Sequence, residues 1–375
     1  MKLNCSLRKI ATSLLAAGAV LFSQTLSATT TETNLQKSFA VHPGGKLIVE
    51  ADFGPIEITT ADRPEVAITI KRSVSGASAA RAQEIFADHE ITVDQDGDTI
   101  VVRAKSKEKS PRWFRGGQNY QVQYAISVPK QFNLDLRTAA GAINCQDIEG
   151  AVKARSSGGN LKFAAVKGPL DASTSAGSIN LVSASGPVSV KTSGGSLRLG
   201  DLGADTTAVT SAGSISVASA KGKLSAKTSG GSLDLGELAA PAEVETAAGS
   251  IHVRSSRAPL SARTSGGSIK IEDAQDTVVA HTSAGGVSAA FSGAPHDDCS
   301  LTTSGGSIEV KVADNLGFDV QAKTSGGRVS TDIPVATTVV GEHKAEALRG
   351  KLNGGGKALL LRTSAGNINI RRNGS

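Results

Sequence analysis

Residues 174–191 read TSAGSINLVSASGPVSVK, and residues 192–209 read TSGGSLRLGDLGADTTAV. Their opening, T-S-[AG]-G-S-[IL], returns along the chain with small variations. Its first residue falls at Thr138, Ser156, Thr174, Thr192, Thr210, Thr228, Thr246, Thr264 and Thr282, in a constant 18-residue step. Thr303 and Thr324 follow at steps of 21, and a last copy starts at Thr363 after a gap of 39. Nine copies in one register are an internal repeat, the mark of a chain that stacks small units. From Thr174 to Thr282 the third motif residue alternates Ala and Gly, which adds a second-order period of 36.

The apolar positions say what one unit builds. Five and seven places after the motif start stand Ile179/Leu181, Leu197/Leu199, Ile215/Val217, Leu233/Leu235, Ile251/Val253 and Ile269/Ile271. A second alternating set precedes the next motif: Leu170/Ala172, Val188/Val190, Leu224/Ala226 and Leu260/Ala262. Period two is a strand with one buried face. Turn residues such as Ser185-Gly186-Pro187 lie between the sets,. Two short strands and two corners close an 18-residue coil, which is favoured over a 36-residue turn. A lone strand pair cannot bury its own face, so coil must stack on coil. The expected fold is an all-β, right-handed parallel β-solenoid. A dozen coils would give a rod on the order of 55–60 Å. The Gly pairs would serve positive φ or close backbone approach at the corner. The Thr/Ser column would satisfy corner backbone groups through its hydroxyls rather than form an ice-binding face.

Composition agrees with a narrow core. Aromatics number 12 in 375 residues, and only Phe163, Phe291 and Phe318 lie beyond residue 138. A wide core would draw on many large aromatic side chains. Gly, at 42 residues, has no every-third-residue period, which excludes collagen,.

Residues 1–28 read as a secretory signal peptide: Lys2, Arg8 and Lys9, an apolar run from Ile10 to Phe22, then Leu26-Ser27-Ala28,. Cys5 precedes the apolar run, so the lipoprotein arrangement is missing. Removing this segment leaves 37 basic residues against 34 acidic, too even a balance to indicate nucleic acid,. No other stretch is long and apolar enough to span a bilayer as a helix. The expected place is outside the cytoplasm, in the periplasm or at the cell surface. Residues 29–137 lack the motif but hold strand-like runs at Lys46–Glu50, Ile56–Thr60, Val66–Lys71, Ile91–Asp94, Thr99–Ala104 and Gln121–Val128, with one helix expected over Ser78–His89. They read as a β-rich cap and first coils ahead of the repetitive part, 138–375. A cap is needed because an open solenoid end is an unpaired edge. Arg371 and Arg372 are placed to blunt the other end.

The serial T-S-[AG]-G-S-I copies, the start Phe39-x-Val41-x-Pro43-Gly44-Gly45, and the ending Leu352-Asn353-Gly354-Gly355-Gly356 … Leu361-Arg362-Thr363-Ser364-Ala365-Gly366-Asn367-Ile368 resemble the exported bacterial β-solenoid domains of the "putative adhesin" type. The resemblance covers roughly residues 39 to 370. It implies the β-solenoid fold and an adhesive or surface role, and it brings no catalytic residues.

The chemistry-bearing residues fall into a few groups. Cys145 and Cys299 take core positions some eight coils apart, far beyond disulfide reach, and read as small buried hydrophobes,. No Asp column of the calcium-roll kind follows the Gly pairs,. His296-Asp297-Asp298 lacks a zinc-site spacing and reads as an exposed polar loop,. Glu272, Asp273 and Asp276 crowd one corner, as a glycosidase carboxylate pair or, more simply, as a solvated corner,. No metal or cofactor is called for. Two surface features remain as candidate binding residues. Arg155, Lys191, Lys227, Arg263 and Lys323 each precede a motif, on alternate coils, and should point outward. Such a column offers a positive charge every ~9–10 Å to an anionic polysaccharide, or simply keeps like charges from stacking directly. Trp113, with Phe114, lies among Lys105, Lys107, Lys109, Arg112 and Arg115, as a contact loop or a hairpin tip,. The function expected is a non-enzymatic, adhesin-like rod touching envelope or extracellular polymers. A structural envelope part that assembles with itself or a partner, and a polysaccharide-active β-helix enzyme, are the alternatives.

Overall fold

The computed structural model describes residues 30–107, 117–336 and 345–373. Residues 1–28, read above as a signal peptide, and Trp113 with the cations beside it from Lys109 to Arg115 lie outside the described residues. The chain is a two-sheet β-solenoid. In a typical coil, Ile179–Ala184 belongs to sheet 1, a corner follows, Val188–Thr192 belongs to sheet 2, and the motif corner leads up to Leu197–Leu202. Each strand pairs in parallel with its equivalent one repeat further on: Ile179 with Leu197, Leu170 with Val188. One 18-residue repeat is therefore one coil, and the 36-residue period describes pairs of coils.

Inward side chains alternate along both sheets as the apolar pattern requires. Ile179, Leu181, Ala184, Val188 and Val190 are all buried in one coil. The resulting core is a single thin aliphatic column that runs without interruption from Val41 to Ile370. Apart from the antiparallel strands Thr30–Ala40 and Glu65–Ser75, sheet 1 holds fourteen parallel strands, one per coil. At ~4.8 Å per step the stack is about 60 Å long.

The motif corner shows why its residues recur. Thr192 is buried; its Oγ1 donates to the Gly177 carbonyl of the coil beneath at 2.8 Å and accepts from Gly195 N at 3.2 Å. The same pair of bonds repeats at Thr174, Thr210, Thr228, Thr246, Thr264 and Thr282. The hydroxyls therefore face the backbone, not an ice lattice. Further out on the same corner, a serine ladder runs Ser178, Ser196, Ser214, Ser232, Ser250, each Oγ accepting the next serine's backbone N–H at 3.2 Å. The second motif glycine is required by proximity rather than by φ. A Cβ on Gly213 would lie 2.0 Å from the Gly195 carbonyl oxygen, and the motif glycines have no positive φ. The preceding position is looser: a Cβ on Gly194 would sit 3.6 Å from Ala176, on Gly230 3.3 Å from Ala212 O. A Cβ is therefore accommodated at Gly194 and only slightly crowded at Gly230, whereas the next position excludes one.

Both ends of the stack depart from sequence order. At the amino-terminal end, the coil made of Lys46–Phe53 and Ile56–Ala61 lies inside, between the coil of Thr99–Ser106 and Asn119–Pro129 and the coil of Asn133–Ala140 and Ile143–Cys145. At the other end, the coil of Lys357–Thr363 and Ile368–Arg372 lies between the coil of Cys299–Thr303 and Ile308–Val312 and the coil of Phe318–Thr324 and Val329–Thr331. Arg371 and Arg372 thus do not blunt an edge. They pair with Lys311 and Val312, and the outer position is closed by the antiparallel strand Ala347–Leu352. The amino-terminal end is closed by Thr30–Ala40, Glu65–Ser75 and His89–Asp96, all antiparallel. The helix Ala79–Asp88 starts at Ser78, whose side chain accepts from Arg81 N, and buries Ala82, Ile85 and Phe86 beside Val74 and Tyr120,.

Candidate binding face

The outward side chains of sheet 2 form the face that carries the basic column. Arg155, Lys191, Arg263 and Lys323 are exposed and Lys227 is half-exposed. Inter-strand register gives the order along the rod: Arg137, Arg155, Ser173, Lys191, Val209, Lys227, Glu245, Arg263, His281, Thr302, Arg362, Lys323. Two-coil spacing holds from Arg155 to Arg263. It fails at both ends, where Arg137 stands opposite Arg155 and Arg362 opposite Lys323.

In the near half of this face, up to Lys227, the cations other than Lys191 have carboxylate partners. Arg155 reaches Asp171 at 3.7 Å, and Arg137 reaches Asp135 at 3.1 Å and Glu50 at 3.9 Å. Lys227 bridges Glu243 at 3.1 Å and Glu245 at 3.4 Å. The hydrogen bond to Glu243 holds the ammonium pKa above its ordinary value, and the same bond holds the Glu243 carboxyl below its own. These exposed pairs add little stability, but they neutralise the column locally. Beside them a groove of about 950 Å³ runs across the coils, bordered by Pro169 and Pro187, with Asp135, Lys153, Asp171 and Asp205 on its walls. Its lining has no aromatic side chain.

The far half differs. Arg362 and Lys323 are exposed, and Arg349 and Lys351 come from the antiparallel closing strand, opposite Gln321 and Asp319. Arg349, Lys351, Gln321 and Asp319 border one shallow hollow of about 560 Å³. Arg362 was open to sequence reasoning, since it precedes the Thr363 motif as the other cations precede theirs. Arg349 and Lys351 carried no such signal, because only the closing strand brings them to this face.

The other groups singled out in the sequence are structural. Cys145 and Cys299 are free and buried, and burial pushes their thiols up to about 12 and about 11, away from nucleophilic use,. Glu272 takes hydrogen bonds from Lys270 and His252, which hold its carboxyl below the usual range. Asp273 lies against Ser255 at 2.9 Å, Gln275 at 2.8 Å and Ser292. Asp276 is not a solvated corner residue: it is buried, at 6% exposure. Its burial opposes ionisation, but donors from His296 N, Thr277 N and the His296 ring outweigh that and hold its carboxyl low. It caps backbone N–H groups where the first 21-residue step breaks the 18-residue ladder. Among the described residues no cluster of three or more His, Cys, Asp or Glu could hold a metal ion. No helix there is long and apolar enough to cross a membrane.

The amino-terminal end holds a buried titratable cluster. His89 is fully buried, its Nδ1 2.8 Å from Tyr120 Oη and its ring 4.7 Å from Phe53. Burial, then the Arg72 charge, lowers its pKa to about 4. Burial pushes Tyr120 up to about 12. These groups stiffen the cap; Arg72 also donates to Phe86 O and His89 O.

No curated protein matches the sequence. Among solved structures the chain is similar to a putative cell adhesion protein from Clostridium sporogenes (10% identity, TM-score 0.17, covering 91% of this chain and 100% of that one) and to a putative adhesin from Bacteroides fragilis (11%, 0.28, 91% and 97%). A putative lipid binding protein from Parabacteroides distasonis matches at 13% identity and TM-score 0.23, covering 91% and 96%. The model of the Toastrack DUF4097 family matches residues 45–371, from the first inserted coil to the last, and the chain belongs to that family.

Proposed function

We propose that this protein is a non-enzymatic, exported, adhesin-like rod that contacts anionic polymers of the cell envelope or its surroundings through the outer face of sheet 2. The observation that carries the reading is the outward basic column, repeated along one face of a rigid scaffold by the coil register itself. A stack of parallel strands holds its surface charges at fixed spacing, so a polymer can engage several at once without ordering the protein. Export is supported by the leader-like residues 1–28,. The test is co-sedimentation of the mature chain with cell envelopes and insoluble polysaccharides at low and high salt. Salt-sensitive retention that declines in the Lys191→Glu, Lys227→Glu, Arg263→Glu triple variant supports the reading. Absence of retention at every salt concentration overturns it in favour of a structural or partner-protein role.

A further inference from the structure

We propose that the polymer is gripped chiefly at the far end of sheet 2, by a cationic cluster in which the closing strand adds Arg349 and Lys351 to the neighbouring Arg362 and Lys323. The inference rests on the polymer-binding reading above and adds where on the rod the contact is made. Lys357–Thr363 is seated between Cys299–Thr303 and Phe318–Thr324, so Arg362 stands directly opposite Lys323. The closing strand then sets Arg349 opposite Gln321, in the same outward row system. The inserted coil leaves Phe318–Thr324 outermost, so the closing strand pairs with it and brings Arg349 and Lys351 to the same face as Lys323 and Arg362.

Like charges opposite one another on neighbouring strands, ~4.8 Å apart, repel. Elsewhere on this face the cations are answered or isolated: Asp171 answers Arg155, Glu243 and Glu245 answer Lys227, Glu245 stands opposite Arg263, and Lys191 stands singly between Ser173 and Val209. At the far end, among the described residues, none of these four cations lies within ion-pair distance of a carboxylate. Asp319, the carboxylate in their midst, accepts Gly356 N at 3.3 Å. With Asp319 opposite Lys351 as the one carboxylate among four cations, the cluster keeps an excess of positive charge on a rigid frame, relieved when oxyanions arrive, and two of its members are guanidinium forks suited to carboxylate or sulfate oxygens,. Its borders are Thr302, Ser300 and Gln321, with the half-buried Leu360 as the one apolar neighbour between Ser300 and Gln321 and no aromatic to enter a bilayer. That composition favours an oxyanion-bearing polysaccharide over a membrane surface.

The decisive experiment measures binding of the full mature chain to alginate, dextran sulfate and neutral dextran, with anionic phospholipid vesicles alongside. Two variants are compared: Arg362→Gln/Lys323→Gln/Arg349→Gln, and Lys191→Gln/Lys227→Gln/Arg263→Gln, each checked for an unchanged melting transition. The expected result is binding to the charged polymers but not to neutral dextran, weakened about tenfold by the first set and less than threefold by the second. Equal loss from both sets, or loss only from the second, overturns the cluster while leaving polymer binding in place. Binding to none of the polymers overturns both readings, and retention on vesicles alone replaces the polysaccharide with a lipid surface.

Discussion

Between Leu161 and Thr282 each coil is a near copy of the one beneath, whereas the two ends of the stack are built by other means. The middle has strict 18-residue register, a hydroxyl ladder and a core with no aromatic beyond Phe163. The amino-terminal end has antiparallel strands, a helix and the packed rings of Phe53, Phe86, His89 and Tyr120. The other end has an inserted coil, a closing strand, and Phe291 against Phe318 at 5.3 Å. A repeat buries its faces by stacking on itself, so small residues in identical places suffice. An end has no next coil and must cover its own apolar face and unpaired backbone, which takes larger side chains and a change of strand direction.

Four measurements test that contrast. The largest effect is expected in the middle. Gly213→Ala would put a Cβ 2.0 Å from a backbone oxygen that cannot retreat without shifting a coil, and should cost about 3 kcal/mol or more in a denaturant titration,. A variant as stable as the parent would mean that coils slide freely past one another.

The second effect belongs to the amino-terminal end. Folded His89 stays neutral down to about pH 4, while the unfolded chain takes up its proton near pH 6.5. Its contribution is therefore complete above about pH 6.5 and is lost as pH falls toward 4, up to about 3 kcal/mol. Tyr120 and Tyr124 are the only tyrosines. Tyrosine fluorescence should thus report this end loosening on acidification ahead of the far-ultraviolet signal of the whole rod. In His89→Gln the two signals should move together; a tyrosine transition unchanged by that substitution would remove His89 from the account.

The third effect is local to one rung. Thr228→Val removes the bond to Gly213 O and the acceptor for Gly231 N, and should lower stability by about 1–2 kcal/mol,. The smallest is a control on the same corner. Gly194→Ala meets only ordinary contacts, 3.6 Å away, and should stay within about 0.5 kcal/mol of the parent,. If Gly194→Ala were as harmful as Gly213→Ala, the distinction drawn between the two motif positions would be wrong.

The same contrast separates what could be read from the residues and what could not. Ile179/Leu181 and Val188/Val190 announce strands because a buried face forces period two. Thr192 and Gly195 announce a corner because Gly195 N bonds back to the Thr192 hydroxyl three residues earlier. The helix at Ala79–Asp88 was legible from its composition. Thr30–Ala40 was not, since an antiparallel covering strand exposed along most of its length needs no apolar alternation, and only Leu35 and Phe39 pack on the core. Nor was the coil order at the ends. Thr363 begins a motif like any other, and a motif states how a coil turns, not which coil lies above it. The burial of Asp276 was hidden for a related reason: beside its neighbour Thr277, it is held by His296 from the segment of the three-residue expansion, twenty residues on. On the binding face, the cations that precede motifs were visible, and their cancellation by Asp171, Glu243 and Glu245 required the register.

The inserted coils also bear on how such a rod resists wear. A solenoid stacked in sequence order frays from its tips, and an exopeptidase can follow, releasing one coil at a time. Here trimming inward from the carboxyl-terminal side meets Ile368–Arg372, a strand held by Ile308–Val312 on one flank and Val329–Thr331 on the other. To be digested it must be withdrawn from between two neighbours, not peeled from a free rim. The strand is in effect tucked under an earlier turn, as a rope's strand is tucked to stop it unlaying.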